Sequence, residues 1–166
     1  MEYRSLGSNQ LSVSKLCLGT MTFGAQTDRN ESKRIVSSAK DHGINFIDTA
    51  DVYVQGESER IVGELIKSSR DWWVLATKAG QKPVDLPNQG GLSRKWLTQS
   101  VDESLARLDT DYIDIFYLHR DYEPSLIDRG CHDNGRYDSF GKDSTLWDIK
   151  FSRMENSRGF NVVQRI

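Results

Sequence analysis

The chain has 166 residues, a formal net charge of −2, and 37% hydrophobic against 28% charged residues, which suits one globular domain with a real core. That charge gives no electrostatic pull toward nucleic acid or an acidic membrane, and no stretch approaches the roughly 18 apolar residues of a membrane span. Met1-Glu2-Tyr3-Arg4-Ser5 lacks the apolar core of a secretory leader, and Cys17 and Cys131 match neither a CxxC pair nor a zinc spacing, so the expectation is a cytoplasmic protein with free thiols and no metal site.

In chain order, residues 3–13 read as a hairpin: Tyr3 to Leu6, a turn at Gly7-Ser8-Asn9, then Leu11-Ser12-Val13 alternating apolar and polar. Leu16-Cys17-Leu18 ends at Gly19 and reads as a first buried strand. Residues 28–30 offer N-cap side chains for a helix with Ile35, Val36 and Ala39 on one face, and Gly43 supplies a left-handed stop. The unit then repeats. Residues 44–47 are a second strand ending in Asp48-Thr49-Ala50-Asp51, and Ser58 caps a helix with Ile61, Val62, Leu65 and Ile66 on its inner face. Residues 73–77 are a third strand ending at Lys78. Ser93 opens a helix with Leu97, Val101, Leu105 and Leu108 at helical spacing, and residues 113–118 are a fourth strand ending at His119. Beyond Asp121 the pattern weakens. Ile149-Lys150-Phe151 reads as a fifth strand, and Phe160, Val162, Val163 and Ile166 as a final helical turn.

Alternating strands and helices imply right-handed crossovers and a parallel sheet covered by helices. Periodicity alone does not separate a closed barrel from an open doubly wound sheet. In both, polar residues at strand C-termini gather on one rim, where such folds carry out their chemistry. Here three strands end in Asp48, Lys78 and His119, and Tyr53 lies five residues past Asp48. A tyrosine hydroxyl, with a reference pKa of about 10, is a poor acid near neutrality unless a cation stabilises its phenolate. Lys78 is the candidate cation, Asp48 its anchor, and His119 a donor that orients a substrate oxygen. Such a set suits proton donation to a carbonyl oxygen as hydride reaches its carbon. Taken singly, each residue has a plainer role: Asp48 as a cap, Lys78 as a solvated rim lysine, His119 as a hydrogen-bonded rim histidine, Tyr53 as loop packing. Their placement on successive strand ends is what favours the joint role.

Four segments resemble the aldo-keto reductase family. Leu18-Gly19-Thr20-Met21-Thr22-Phe23-Gly24 is similar to its first-strand segment, and residues 45–53 to its Asp-Thr-Ala-x-x-Tyr signature, here Asp48-Thr49-Ala50 followed by Tyr53. Leu75-Ala76-Thr77-Lys78 is similar to its lysine strand, and residues 111–120 to the strand that delivers its histidine. The resemblance covers residues 1–120 and implies a parallel (β/α) barrel of TIM type, truncated to about half, with an N-terminal hairpin plugging its floor. It implies NADPH-dependent reduction of aldehydes or ketones, with Tyr53 as general acid, Lys78 and Asp48 tuning it, and His119 orienting the substrate. Gly19, Thr20, Met21 and Asp48 would meet the nicotinamide-ribose end of NADPH.

Residues 121–166 read as a diverged continuation of the same domain. Aligned on Ile149-Lys150-Phe151, Asn156 would match the asparagine that grips the nicotinamide carboxamide, although Arg153 and Glu155 replace a glycine and a serine there. The family's later strands, which grip the adenosine 2′-phosphate and the pyrophosphate, find no counterpart in these residues. Two functions are therefore carried forward. One is an NADPH-dependent carbonyl reductase, with self-association through open sheet edges as an expected partner interaction. The other is a catalytically impaired relative acting as a weak nucleotide-binding or interaction protein.

Overall fold

The computed structural model describes residues 1–6, 11–81 and 87–119, and the backbone of two short strands at 146–147 and 163–164. An antiparallel hairpin, β1 (Tyr3–Leu6) with β2 (Leu11–Ser14), precedes a four-stranded parallel sheet. The sheet contains β3 (Cys17–Gly19), β4 (Phe46–Asp48), β5 (Val74–Ala79) and β6 (Ile115–Leu118), side by side in that order. Between them run α1 (Arg29–Asp41), α2 (Glu57–Ile66) and α3 (Arg94–Leu108).

The helix boundaries follow local chemistry. Asp28 accepts from the Glu31 amide to cap α1, and Ser93 accepts from the Trp96 amide to cap α3, as the sequence suggests. Gly43, at φ +78°, turns the chain out of α1. Ser58 is a correction. The N-cap of α2 is Gly56, at φ 84°, and Ser58 lies inside the first turn with its hydroxyl buried beneath the sheet rim. There it donates to the Thr20 carbonyl and lies 3.0 Å from the Thr20 and Thr49 hydroxyls.

Strand order separates the two architectures that periodicity leaves open. A doubly wound sheet reverses its order part-way and carries helices on both faces. Here the four strands follow chain order without reversal, and all three helices pack on one face. On that convex side Ile47, Leu75, Ala79 and Phe116 meet Val36, Ala39, Ile61, Val62, Ile66, Leu97, Val101 and Leu108. The concave side gathers Val74, Ala76, Ile115 and Tyr117 around Val13 of the hairpin, with Leu6, Leu11 and Phe46 half-buried beside them. The structure is a sector of a (β/α) barrel with a hairpin at its floor. Asn45 joins the two parts: its side-chain oxygen accepts from the Ser14 amide at 2.7 Å and its amide donates to the Ser12 carbonyl at 2.9 Å.

Two further expectations are corrected. β3 is not a buried strand: Leu16 is 59% exposed and Cys17 is exposed. Among the described residues it bonds to a neighbouring strand only on its β4 side. Val163–Gln164 is a strand rather than a helical turn, its backbone paired antiparallel with Leu146–Trp147. Residues 149–151, read as a fifth strand, and Asn156 lie outside the described residues.

Candidate active site

The period of two along a strand brings the rim residues together. On β5, Val74 and Ala76 face the concave side, so Lys78 does too. On β4, Phe46 and Asp48 share that face, and on β6 Ile115 and Tyr117 lead to His119. Beyond β4 the chain stays paired to β5, the Thr49 amide donating to the Ala76 carbonyl at 2.9 Å and the Asp51 amide to the Lys78 carbonyl at 3.0 Å. The His119 amide donates to the Ala79 carbonyl at 2.8 Å, which extends β6 in the same way.

Lys78 stands at the centre, its side chain only 4% exposed. Its Nζ donates to Asp48 Oδ2 at 2.6 Å, to the Thr49 carbonyl at 2.6 Å and to the Tyr53 hydroxyl at 3.1 Å. The ammonium also lies 4.6 Å from the centre of the Tyr53 ring. The ring of His119 meets Tyr53 edge-on, 5.7 Å between centroids and 85° between planes. The structure therefore brings all four sequence-derived residues, Asp48, Tyr53, Lys78 and His119, to one place. Burial raises the Asp48 carboxyl above its ordinary range, and the hydrogen bond and charge of Lys78 oppose that shift without cancelling it. Tyr117, a second phenol on the concave face, is pushed up to about 12 by burial and by the negative charge of Asp48, which keeps it neutral.

The turn that carries Tyr53 is strained. Val54 (φ 49°, ψ 42°) and Gln55 (φ 56°, ψ 38°) are both left-handed, and Gly56 follows at φ 84°. For side chains other than glycine that conformation costs about 1–2 kcal/mol per residue, and a β-branched valine suffers most. Backbone strain of this kind persists only where surrounding contacts over-determine it, and it concentrates at functional sites.

The rim is open beside Asp48. Gly19 pairs in register with Asp48, and a Cβ built on Gly19 meets nothing within 4 Å. Met21 is 63% exposed next to it. Thr20 is wholly buried, its hydroxyl donating to the Asp48 carbonyl at 2.9 Å and lying 3.0 Å from the Ser58 hydroxyl. Ser58 in turn donates to the Thr20 carbonyl at 2.8 Å and lies 3.0 Å from the Thr49 hydroxyl. This small hydroxyl cluster ties the end of β3 to the end of β4 and to α2.

A carboxylate–ammonium–phenol trio with a histidine at the C-terminal rim of a barrel sector is what the four sequence segments had suggested. The model of the aldo/keto reductase family matches residues 15–132. The chain belongs to the aldo/keto reductase family. Among solved structures, this family member is similar to the aldo-keto reductase AKR11C1 from Bacillus halodurans in its holo form, with 39% identity and a TM-score of 0.64 over 71% of this chain and 40% of that one. A putative aldo-keto reductase from Pseudomonas aeruginosa gives 39% identity and a TM-score of 0.66 over 75% of this chain and 49% of that one. Among curated relatives, a probable voltage-gated potassium channel subunit beta of Arabidopsis thaliana is 43% identical over 124 residues, covering 72% of this chain and 38% of the relative. The uncharacterized oxidoreductase YrpG of Bacillus subtilis is 35% identical over 176 residues, covering 99% of this chain and 52% of the relative. The chain thus spans about half or less of the length of these relatives.

Residue-by-residue reading of this reductase-family chain missed a buried ionic group behind the site. Glu59, wholly buried on α2, accepts from the Thr77 hydroxyl at 2.6 Å and from Arg107 Nε at 2.6 Å. The Asp51 carboxyl, half-buried nearby, is pushed up to about 7 by burial first and then by the charge of Glu59. One signal was present in the sequence. Glu59 precedes Val62 and Ile66 at helical spacing, so it falls on the apolar stripe of α2, where a carboxylate needs a partner.

Proposed function

We propose that the chain carries the catalytic rim of an NADPH-dependent reductase that converts aldehydes or ketones to alcohols. The observation that carries this reading is the contact of one buried ammonium with both a carboxylate and a phenol, Lys78 to Asp48 at 2.6 Å and to Tyr53 at 3.1 Å. The open rim at Gly19 and the exposed Met21 fit a nicotinamide ring beside Asp48. Gly19, Met21 and Asp48 would hold its nicotinamide-ribose end, with Thr20 buried behind them tying the end of β3 to β4, and Asn156 assigned to the carboxamide. When bound, the reduced nicotinamide supplies the hydride that the carbonyl carbon receives.

The chain's own residues handle the proton. The Tyr53 hydroxyl donates its proton to the carbonyl oxygen as negative charge develops there, leaving a phenolate. Lys78, placed 3.1 Å from that oxygen, lowers the cost of the phenolate by direct attraction in a water-poor site. Asp48 and the Thr49 carbonyl hold the ammonium in place, so no reorganisation is needed at the moment of transfer. His119, edge-on to Tyr53, orients the carbonyl oxygen. A proton from solvent then restores the phenol.

Tyr53→Phe keeps the ring and removes the acid. With NADPH and a nitrobenzaldehyde as substrate, turnover should fall by about 10²- to 10⁴-fold. Unchanged turnover would remove Tyr53 from the acid role and with it this reading. A second reading, an interaction subunit, is favoured by the 43% identity to a chain named a potassium channel beta subunit. It is favoured also by the exposed Leu16 and Met21 along the β3 edge, a surface suited to self-association or to a partner. The same assay on the native chain separates the two. Among the described residues no helix is long and apolar enough to cross a membrane; a cytoplasmic location is part of the proposal.

A further inference from the structure

The buried group behind the rim has no part in the proton transfer just described, yet it touches both segments that carry it. One oxygen of Glu59 accepts from Thr77, the residue immediately before Lys78 on β5. The other accepts from Arg107 on α3. Arg107 also passes close to Gly56: a Cβ at that glycine would sit 2.6 Å from Arg107 Cδ and 3.0 Å from its Nε. Gly56 closes the left-handed turn that begins at Tyr53. The guanidinium is held from its own helix as well, by the Ser104 hydroxyl at 3.2 Å and by Glu103 at 3.7 Å. A single buried carboxylate thus connects the strand position next to Lys78 with the side chain that covers the Tyr53 turn.

The energetics explain why such a connection is needed. Val54 and Gln55 hold left-handed backbone angles, which persist only where surrounding contacts oppose relaxation, and they follow directly on Tyr53. A surface ion pair is too weak and too mobile to resist. Glu59 is wholly buried and Arg107 nearly so at 16% side-chain exposure, so their geometry is rigid and costly to break. We infer that Glu59 and Arg107, closed onto Thr77, form a positioning pair that sets the separation of Tyr53 from Lys78. The inference deepens the reductase reading and rests on it for its kinetic test, but its structural half stands alone.

The test compares the native chain with Glu59→Gln, which keeps the shape and the acceptor for Thr77 but removes the charge that holds Arg107. Thr77→Val is the milder companion, which deletes one donor with little change in volume and keeps the experiment informative if Glu59→Gln fails to fold. Amide hydrogen exchange is read first, because it needs no activity. The Asp51 amide, bonded to the Lys78 carbonyl, and the Tyr53 amide, bonded to Ala50, should exchange at least about tenfold faster in the variants, while those of Val101 and Ile115 change much less. Equal acceleration at all four would mean that Glu59 only stabilises the fold, and no acceleration at Asp51 and Tyr53 would mean that the pair does not hold the turn; either overturns the inference. Carbonyl reduction with NADPH is read second. Expected is a fall in kcat of about tenfold or more with KM within about twofold, since misplacing the acid affects the transition state and not substrate binding. A rise in KM with kcat unchanged overturns the inference. If the native chain reduces no carbonyl, the reductase reading fails, and the exchange data alone decide the positioning pair.

Discussion

Replacing Lys78 by Met keeps the stem of the side chain and deletes the ammonium, and the structure sets the size of the effect. Three bonds disappear, to Asp48 Oδ2 at 2.6 Å, to the Thr49 carbonyl at 2.6 Å and to the Tyr53 hydroxyl at 3.1 Å. Breaking a buried pair by removing one partner costs about 3–5 kcal/mol. The orphaned Asp48 is better placed than that case assumes, because its side chain is 21% exposed and water still reaches it. A loss of about 2–3 kcal/mol near pH 8 follows. The pH dependence has a definite sign. Lys78 is what lowers the Asp48 pKa, so removing it moves the folded-state value further above the unfolded one. A raised carboxyl leaves stability intact below the unfolded value of about 3.9 and removes it as pH climbs through the folded value. The gap between variant and native chain should therefore widen from pH 5 to pH 8 in urea titrations of the full chain. Under the proposed function the same substitution lowers turnover about 10²- to 10⁴-fold. A gap that is equal at the two pH values, or smaller than about 0.5 kcal/mol at pH 8, would refute the electrostatic account of the trio.

Gly63→Ala should be strongly destabilising. Its Cβ would lie 2.2 Å from the Leu108 carbonyl oxygen and 2.5 Å from the carbonyl carbon, both backbone atoms at the end of α3 that cannot swing aside. The overpacking cost of about 3 kcal/mol exceeds the helix-propensity gain of about 1 kcal/mol, and a thermal melt at or above the native Tm would disprove the close approach of α2 to α3. Asp51→Asn should be stabilising above neutrality. With its carboxyl pushed up to about 7, native Asp51 contributes most below its unfolded value and loses that contribution as pH rises to about 7. The advantage of the asparagine variant should grow by about 4 kcal/mol between about pH 4 and 7 and then level off, and parallel stability curves for the two chains would show that Asp51 does not titrate there.

The helices and strands were legible because their signals are local. The spacing of Leu97, Val101 and Leu108 defines α3, Asp28 and Ser93 cap their helices, and the apolar runs before Lys78 and His119 become β5 and β6. Ser58 was misread because its type suits a cap equally well, and only the position of Thr20 and Thr49, 38 and 9 residues away, drew the hydroxyl inward. Leu16 and Cys17 were misread because an apolar run carries no mark of how many neighbours it will have. The four rim residues could be named from the chain, since each ends a strand or follows one. Their convergence within hydrogen-bonding distance could not, because it depends on the curvature of the sheet.

From the sequence alone came the order of strands and helices, the placement of Asp48, Lys78 and His119 at strand ends on one rim, and the resemblance to a reductase family. These depend on periodicity and short motifs, which act over a few residues. The choice of a barrel sector over a two-faced sheet was made by packing, as all three helices cover one side and the hairpin fills the other. The strained turn after Tyr53 and the Glu59–Arg107 pair behind it belong to the tertiary structure too, because their partners are brought together across 48 residues of chain by burial and not by local preference.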